Sequence, residues 1–176
     1  MFSAAILAGG CATRYAGDLL IVGGPFRPDV PAGIRRVPDQ VLGCGPLGGL
    51  HAALSTASGP ATVVVACDMP YVSAPLLRYL LSVANESNRA QDADIVVPKT
   101  ERGYHPLCAV YRRTCLEPVA RRLADGRLKL TGLFDDVRVR VVTGESLMVF
   151  GDPDRLLANV STSIEYQAIE ANGMQS

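Results

Sequence analysis

The chain has 176 residues, 48% of them apolar, a length and composition typical of one domain with a substantial buried core. Lys and Arg together number 17, as do Asp and Glu, so the overall charge gives no basis for binding a nucleic acid or an anionic membrane. A bound anion must be held by a local site, and we expect a single domain over residues 1–176.

The basic residues and the cysteines indicate which ligands the protein can bind and in which cellular compartment it lies. Only Lys99 and Lys129 are Lys, and the Arg excess suits bidentate phosphate contacts but also follows from genome composition. No C-x-x-C pair occurs, which predicts reduced, buried thiols in a cytoplasmic protein rather than a zinc site or disulfide framework. The apolar start, Met1–Leu7, has no basic leader and indicates a strand, not a signal peptide. The five cysteines are Cys11, Cys44, Cys67, Cys108 and Cys115.

Short apolar or β-branched runs alternate with amphipathic stretches, the pattern of an α/β fold with a mostly parallel sheet covered on both faces. The run Thr62–Ala66 is apolar enough for a central strand, while Arg138 and Arg140 suggest an edge strand in a mixed sheet. The predicted strands are Ala4–Leu7, Leu19–Val22, Ile34–Val37, Thr62–Ala66, Ile95–Val97, Leu107–Arg112 and Val137–Val142. The predicted helices are Pro46–Thr56, Ala74–Asn85, Thr114–Ala124, with Thr114 as N-cap, and Ser163–Ala171.

The connection between the first two predicted strands is unusually short. Parallel neighbouring strands need a crossover of about a dozen residues or more, usually a helix, yet only a glycine-containing loop lies between Leu7 and Leu19. We therefore expect a segment of roughly 20–30 residues to be missing near Gly17 and Asp18. It is either deleted from the protein or passed over by the continuous numbering.

The segment Leu7–Gly17 follows the first strand directly. Its Gly9 and Gly10 would let backbone N–H groups approach a phosphate, and Arg14 can add a charge-assisted contact to the same anion. The spacing is neither a Walker A loop nor the dinucleotide-binding fingerprint. A glycine pair after a strand is also common in a simple tight turn.

A second candidate segment is Cys67–Pro70, at the carboxyl end of the strongest predicted strand. Open α/β sheets bind ligands at that edge, and a carboxylate there can hold a divalent ion against a diphosphate group. The alternative is that Asp68 is only an N-cap or turn residue before Pro70.

A third candidate region combines Asp39 with Gly45–Gly49, where Pro46 can open a helix and the glycines allow close approach of a ligand. His51 on that helix is more typical of a packed or surface histidine than of a catalytic base. His105 lies in a turn before a strand, and its role is equally open.

Five short motifs occur in one order along almost the whole chain, and together they resemble the molybdenum cofactor guanylyltransferases, members of the nucleotidyltransferase superfamily. The Leu-Ala-Gly-Gly form of the first motif is more similar to the guanylyl branch than to the cytidylyl branch, which usually has Leu-Ala-Ala-Gly. The motifs are Leu7–Gly10 with Arg14, Asp39 ahead of Gly45–Gly49, Cys67–Pro70, His105–Pro106 and Asn159–Thr162.

The resemblance implies a Rossmann-like three-layer nucleotide-binding fold and transfer of GMP from GTP to the molybdenum–molybdopterin cofactor, with release of pyrophosphate. Arg14 and Asp68 would be the catalytic residues, and Asp68 would hold Mg²⁺ between the phosphates. The other implied roles are guanine and ribose contacts for Leu7, Ala8 and Gly9, triphosphate contacts for Gly10 and Arg14, guanine recognition for Asp39, the pterin side for His105 and Asn159, and proximity to the metal for Asn159.

The resemblance also implies protein partners that insert or accept the cofactor, and no nucleic acid or membrane partner. The chain departs from the family in two places. The family has Met-Gly-x-x-Lys after its Arg, whereas this chain has no lysine before Lys99, and Ser161 replaces the second asparagine of Asn-x-Asn-Thr-Pro. The alternatives are a related cytidylyltransferase or sugar-phosphate nucleotidyltransferase, or a non-catalytic nucleotide- or pterin-binding homologue without the loop lysine.

Overall fold

Eight strands form the centre of the molecule in a computed structural model that describes residues 3–7, 18–23, 33–38, 43–86 and 92–160. The strands are β1 (Ser3–Leu7), β2 (Asp18–Val22), β3 (Ile34–Val37), β4 (Ala61–Ala66), β5 (Ile95–Thr100), β6 (Gly103–Tyr104), β7 (Cys108–Arg112) and β8 (Val139–Val142). The helices are α1 (Gly45–Thr56), α2 (Ala74–Asn85), α3 (Leu116–Ala124), α4 (Glu145–Met148) and α5 (Pro153–Leu156). Two 3₁₀ helices cover Arg113–Cys115 and Leu130–Asp135.

The sheet is mixed but mostly parallel, as the sequence predicted. Its order is β3-β2-β1-β4-β7-β5, with β6 paired to the end of β5. Strand β8 pairs in parallel with β5 on the edge away from β7, because Ile95 and Val96 pair with both neighbours. Strand β7 runs antiparallel to β4 and β5. The predicted central and edge positions of β4 and β8 are therefore confirmed.

Alternate residues of the central strands enter cores on opposite faces of the sheet, because successive side chains of a strand point in opposite directions. Val64 of β4 packs with α1 and α3, whereas Val63 packs with α2. Ile95 and Val97 of β5 face the first core, and Val96 faces the second. This two-sided burial gives the three-layer α/β architecture that the apolar strands predicted.

Most predicted elements are confirmed within one or two residues, and the third helix shows the clearest difference. Thr114 is not its N-cap, because Cys115 occupies that position, and the Thr114 hydroxyl instead donates to Asp94 Oδ1 at 2.7 Å. The chain forms a 3₁₀ turn there, and α3 begins at Leu116 without a side-chain cap. The predicted helix Ser163–Ala171 lies outside the described residues.

The short connection noted in the sequence joins two strands that are parallel neighbours in the sheet. Ser3 pairs with Asp18 and Leu7 with Val22, so residues 8–17 connect the end of β1 to the start of β2. Those connecting residues are outside the described part of the chain. A missing segment near Gly17 and Asp18 therefore stays a prediction.

The cysteines within the described ranges are all free thiols. Cys108 and Cys115 are buried, as predicted, while Cys44 and Cys67 are half-buried. Cys11 lies outside the described residues. Burial raises the pKa of the Cys108 and Cys115 thiols to about 12, so both stay protonated and serve as apolar packing groups.

Candidate functional site

The switch point of the sheet lies between β1 and β4. From β1 the chain continues outward through β2 and β3, whereas β4 leads towards the opposite half of the sheet. Strand β1 pairs in parallel with β4, and Leu7 lies beside Ala66. The segments that begin at Ala8 and Cys67 therefore leave adjacent strands at the same edge, where open α/β sheets bind their ligands.

Asp68 follows β4 at this switch point. It occupies a turn after β4, and helix α2 begins later with Ser73 as its N-cap, whose Oγ accepts from Leu76 N at 3.4 Å. Asp68 is therefore a turn residue, as one alternative predicted, and not an N-cap. Its Oδ2 accepts a hydrogen bond from Asn159 Nδ2 at 3.1 Å, whereas Oδ1 is buried with no hydrogen-bond partner.

The unpartnered oxygen of Asp68 fits a cation. A buried carboxylate oxygen without a donor is costly, and an oxygen-preferring divalent ion would satisfy it. Within the described ranges no group of three or more His, Cys, Asp or Glu side chains could hold a metal by itself. A metal at Asp68 would thus complete its coordination with water and substrate phosphates, as Mg²⁺ commonly does.

The segment after α5 packs on the turn that carries Asp68. Val160 N donates to Asp68 O at 2.7 Å, beside the Asn159 contact. Leu157 and Val160 are buried and anchor this segment in the core. The expected proximity of Asn159 to Asp68 is therefore present in the structure, although 91 residues separate them in sequence.

His105 and Pro106 lie at the same edge, one strand further along. They precede β7, which runs antiparallel to β4, and Ala66 N donates to Leu107 O at 2.8 Å. The buried Tyr111 side chain stabilises this turn, because its hydroxyl donates to Pro106 O at 2.6 Å. His105 Nε2 lies 3.0 Å from Thr100 Oγ1.

The His105 imidazole is held in its neutral form. Burial lowers its pKa below the usual value, with Asp154 opposing the change and Arg102 reinforcing it. Burial also raises the pKa of the neighbouring Cys67 thiol, and the Asp68 carboxylate adds to this effect. Neither group therefore adds charge to the site at neutral pH.

Helix α1 also begins at this edge, since it follows β3 after a short connection. Gly45 has a φ of +56°, which favours glycine, and Pro46 occupies the first turn, as predicted. The partial positive charge of the helix N-terminus is thus directed to the edge where an anion would bind. His51 is half-buried on α1, and its Nδ1 has no hydrogen-bond partner.

A cavity of about 430 Å³ opens beyond His105, at the carboxyl ends of β5 and β8. Sequence patterns gave no sign of it, because its walls come from single-turn helices and strand ends that meet only in the fold. Tyr71 and Arg155, which contact each other near this region, were missed for the same reason. The cavity is lined by Lys99, Thr100, Glu101, Thr143, Gly144, Leu147, Met148, Pro153 and Asp154.

Several expected site residues cannot be placed, because Ala8, Gly9, Gly10, Arg14 and Asp39 lie outside the described residues. Leu7 is the last residue of β1. The structure thus brings together the strand ends, Asp68, Asn159 and His105. Within the ranges that it describes, none of the helices has the length and apolar character that a bilayer crossing requires.

The sequence comparisons with known proteins agree on the family of this chain. Residues 13–137 match the model of the MobA-like NTP transferase domain. A probable molybdenum cofactor guanylyltransferase of Pelotomaculum thermopropionicum is 34% identical over 82% of this chain and 68% of its own length. A molybdenum cofactor guanylyltransferase of Desulfosudis oleivorans is 33% identical over 72% of this chain, which spans 60% of that relative.

Solved structures share the fold. Molybdopterin-guanine dinucleotide biosynthesis protein A from Archaeoglobus fulgidus superposes with a TM-score of 0.75 at 20% identity, over 99% of this chain and 100% of that one. The 2-C-methyl-D-erythritol 4-phosphate cytidylyltransferase of Thermus thermophilus superposes with a TM-score of 0.62 at 17% identity, over 89% and 82% of the two chains. The Rossmann-like architecture is therefore confirmed.

Proposed function

Because the chain belongs to the MobA-like NTP transferase domain family and is a nucleotidyltransferase, we propose that it transfers GMP from GTP to the molybdenum–molybdopterin cofactor. The products are the guanine dinucleotide form of the cofactor and pyrophosphate. The names of its relatives support the guanylyl and molybdenum-cofactor parts of this proposal. Proteins that insert or accept the finished cofactor are its proposed partners.

The observation that carries the proposal is the unpartnered Asp68 Oδ1 at the switch point between β1 and β4. A triphosphate between the two strand ends would lie against the segment that follows β1 and beside this carboxylate. The arrangement suits a nucleotide whose phosphates are bridged to the protein by a cation.

Mg²⁺ held by Asp68 would offset the charge of the phosphates and of the departing pyrophosphate. The side chain is already oriented for this task, because Asn159 Nδ2 donates to Oδ2 and leaves Oδ1 free of protein donors. Asn159 therefore acts as a positioning residue in this proposal.

The residues that follow β1 would bind the nucleotide. We assign the guanine and ribose to Leu7, Ala8 and Gly9, and the triphosphate to Gly10 and Arg14. Asp39 would recognise the guanine. Backbone N–H groups near glycine and the guanidinium of Arg14 are donors that suit phosphate oxygens.

The reaction itself needs position and charge more than proton transfer. A terminal phosphate oxygen of the pterin cofactor attacks the α-phosphorus of GTP, and the bond from that phosphorus to the β-phosphate oxygen breaks. The attacking phosphate is already ionised at neutral pH, so no general base is required. Neutral His105, hydrogen-bonded to Thr100, accordingly has a pterin-binding role here rather than a catalytic one.

One observation favours a second function. The family's loop lysine neutralises phosphate charge, and this chain has no lysine before Lys99. A homologue that binds nucleotide or pterin without transferring GMP would show tight GTP binding and no turnover. Turnover with GTP would exclude that function.

The test is a transfer assay with GTP or CTP labelled at the α-phosphate, the phosphorylated pterin cofactor and Mg²⁺. We expect a labelled dinucleotide cofactor from GTP, pyrophosphate in equal amount, and loss of both products when Mg²⁺ is chelated. Preferred turnover of CTP would show a cytidylyltransferase instead. GTP binding without any product would support the binding homologue.

A further inference from the structure

Helix α5 connects the cavity to the segment that contacts the Asp68 turn. Its first residues, Pro153 and Asp154, line the cavity at the ends of β5 and β8. The chain then reaches Asn159, whose amide contacts Asp68 after β4. Arg155 therefore lies in sequence between residues that line the cavity and the residue that contacts Asp68.

Arg155 on this helix is held beside the turn by an aromatic ring. Its guanidinium carbon lies 5.2 Å from the centre of the Tyr71 ring, and Tyr71 directly follows the Asp68–Pro70 turn. Cation–π contact orients a guanidinium while leaving its N–H groups at the edge of the ring for other acceptors. Arg155 is exposed, whereas Tyr71 is half-buried.

Within the described part of the chain, no carboxylate forms an ion pair with Arg155. Arg102, at the same edge, is 3.9 Å from Asp154 Oδ1, and Lys99 Nζ lies 5.0 Å from the centre of the Tyr104 ring. Unlike Arg102, Arg155 forms no ion pair with a described carboxylate, and it contacts the Tyr71 ring beside the turn.

We propose that Arg155 binds the phosphate of the pterin acceptor and brings it towards the α-phosphorus of GTP. This inference rests on the proposed function, in which two anions must meet at Asp68. The planar guanidinium can donate two parallel hydrogen bonds to a phosphate. It would supply positive charge at a site that has no loop lysine, with Tyr71 holding the guanidinium in place before substrate arrives.

The experiment measures each substrate separately in Arg155→Gln, Arg155→Lys and the parent protein. Binding of 6-hydroxymethylpterin phosphate is followed by pterin fluorescence, and GTP binding by calorimetry with Mg²⁺ and no acceptor. For Arg155→Gln we expect the Kd of the pterin phosphate to rise about 10- to 100-fold, since charge-assisted hydrogen bonds are lost. The Kd of GTP should change less than twofold, and Arg155→Lys should recover part of the affinity.

Arg121→Gln is the matched control, because Arg121 is exposed on α3 and paired with Glu117. It should leave both Kd values unchanged, and adding salt should weaken pterin phosphate binding more in the parent than in Arg155→Gln. A pterin phosphate Kd within twofold of the parent, or an equal loss of GTP affinity, would overturn the assignment of Arg155. A parent protein that binds neither substrate would instead overturn the proposed function.

Discussion

The two carboxylate oxygens of Asp68 have different surroundings, and this difference explains how one residue can serve a metal. Asn159 donates to Oδ2, while Val160 N binds the backbone carbonyl of Asp68 and fixes the turn. Oδ1 is buried without a donor. Burying this oxygen without a hydrogen-bond donor costs free energy, and a bound cation would offset that cost.

Replacing Asp68 with Asn keeps the size of the side chain and removes its charge. We expect metal-dependent transfer to fall about 1,000-fold or more, because a catalytic metal supplies several kcal/mol of charge stabilisation. The thermal midpoint should not fall, since a buried unpartnered charge is removed. Initial rates and melting curves measure both effects.

Asp125→Asn is a suitable control for that experiment, because Asp125 pairs with Arg127 at an exposed position after α3. Its transfer rate should equal that of the parent. If Asp68→Asn retained about a tenth of the activity or more, Asp68 would not be the metal residue.

Asn159→Ala tests the positioning of Asp68. Loss of one hydrogen bond to a charged carboxylate should lower kcat about tenfold. GTP affinity should change less, since Asn159 contacts the Asp68 carboxylate and is not one of the residues assigned to nucleotide binding. Single-turnover rates measure the effect on the chemical step, and calorimetry measures GTP affinity. A kcat within twofold of the parent would rule out this positioning role.

At the residue scale, the family resemblance implied that Asn159 lies near Asp68, and in the structure the two side chains are hydrogen-bonded. The same information could not pair Tyr71 with Arg155. A cation–π contact between distant residues leaves no local pattern, because it depends on how α5 packs after the sheet has formed.

At the scale of elements, ionic contacts stabilise the part of the sheet formed by β2 and β3. Asp18 at the start of β2 accepts from Arg35 Nε at 2.9 Å and from Ser58 N at 2.9 Å. Arg35 Nη2 also donates to Thr56 O at 2.9 Å. These contacts join β2, β3 and the connection from α1 to β4.

The Asp18 carboxyl should make stability depend on pH. Burial opposes ionisation, but the contacts from Arg35 and Ser58 outweigh it and lower the pKa to about 2. Ionised Asp18 therefore stabilises the fold above its unfolded pKa, about 4, and this contribution is lost as pH falls towards about 2. Asp18→Asn should be less stable than the parent at pH 7, by about 1–2 kcal/mol, and the difference should shrink on acidification.

Chemical denaturation between pH 7 and pH 3 measures that difference. Asp125→Asn again gives the exposed control and should show no comparable pH dependence. A constant difference between Asp18→Asn and the parent across this range would contradict the ionic explanation.

Elements with a clear period or composition were predictable, and single turns were not. The strand Ala61–Ala66 and helix Ala74–Asn85 follow from a continuous apolar run and an amphipathic stretch. Helices α4 and α5 have one turn each, which is too short to show a helical period. Threonine is a common N-cap residue, but the Thr114 hydroxyl instead donates a hydrogen bond to Asp94, which is distant in sequence.

At the scale of the whole molecule, a mostly parallel three-layer architecture was predictable from the alternation of strands and helices. The strand order was not, because the insertion of antiparallel β7 between β4 and β5 depends on long-range pairing. That insertion brings His105 to the edge occupied by Asp68.

The missing crossover segment can be tested by peptide mapping of the protein from its natural source. If the protein is an active transferase, we expect an insertion of roughly 20–30 residues near Gly17 and Asp18. The tryptic peptide Tyr15–Arg35 would then be absent in its printed form. Finding that peptide in a protein with full GMP transfer would show that the short connection is sufficient.

The residues that follow β1 and the Asp68 carboxylate after β4 are proposed to bind one triphosphate through a metal ion. Anomalous diffraction from crystals grown with Mn²⁺ and a non-hydrolysable GTP analogue tests it most directly. The expected result is one Mn²⁺ peak bonded to an Asp68 carboxylate oxygen and to the triphosphate, which lies along residues 9–14. A triphosphate bound away from Asp68, or Mn²⁺ held by other side chains, would contradict the claim.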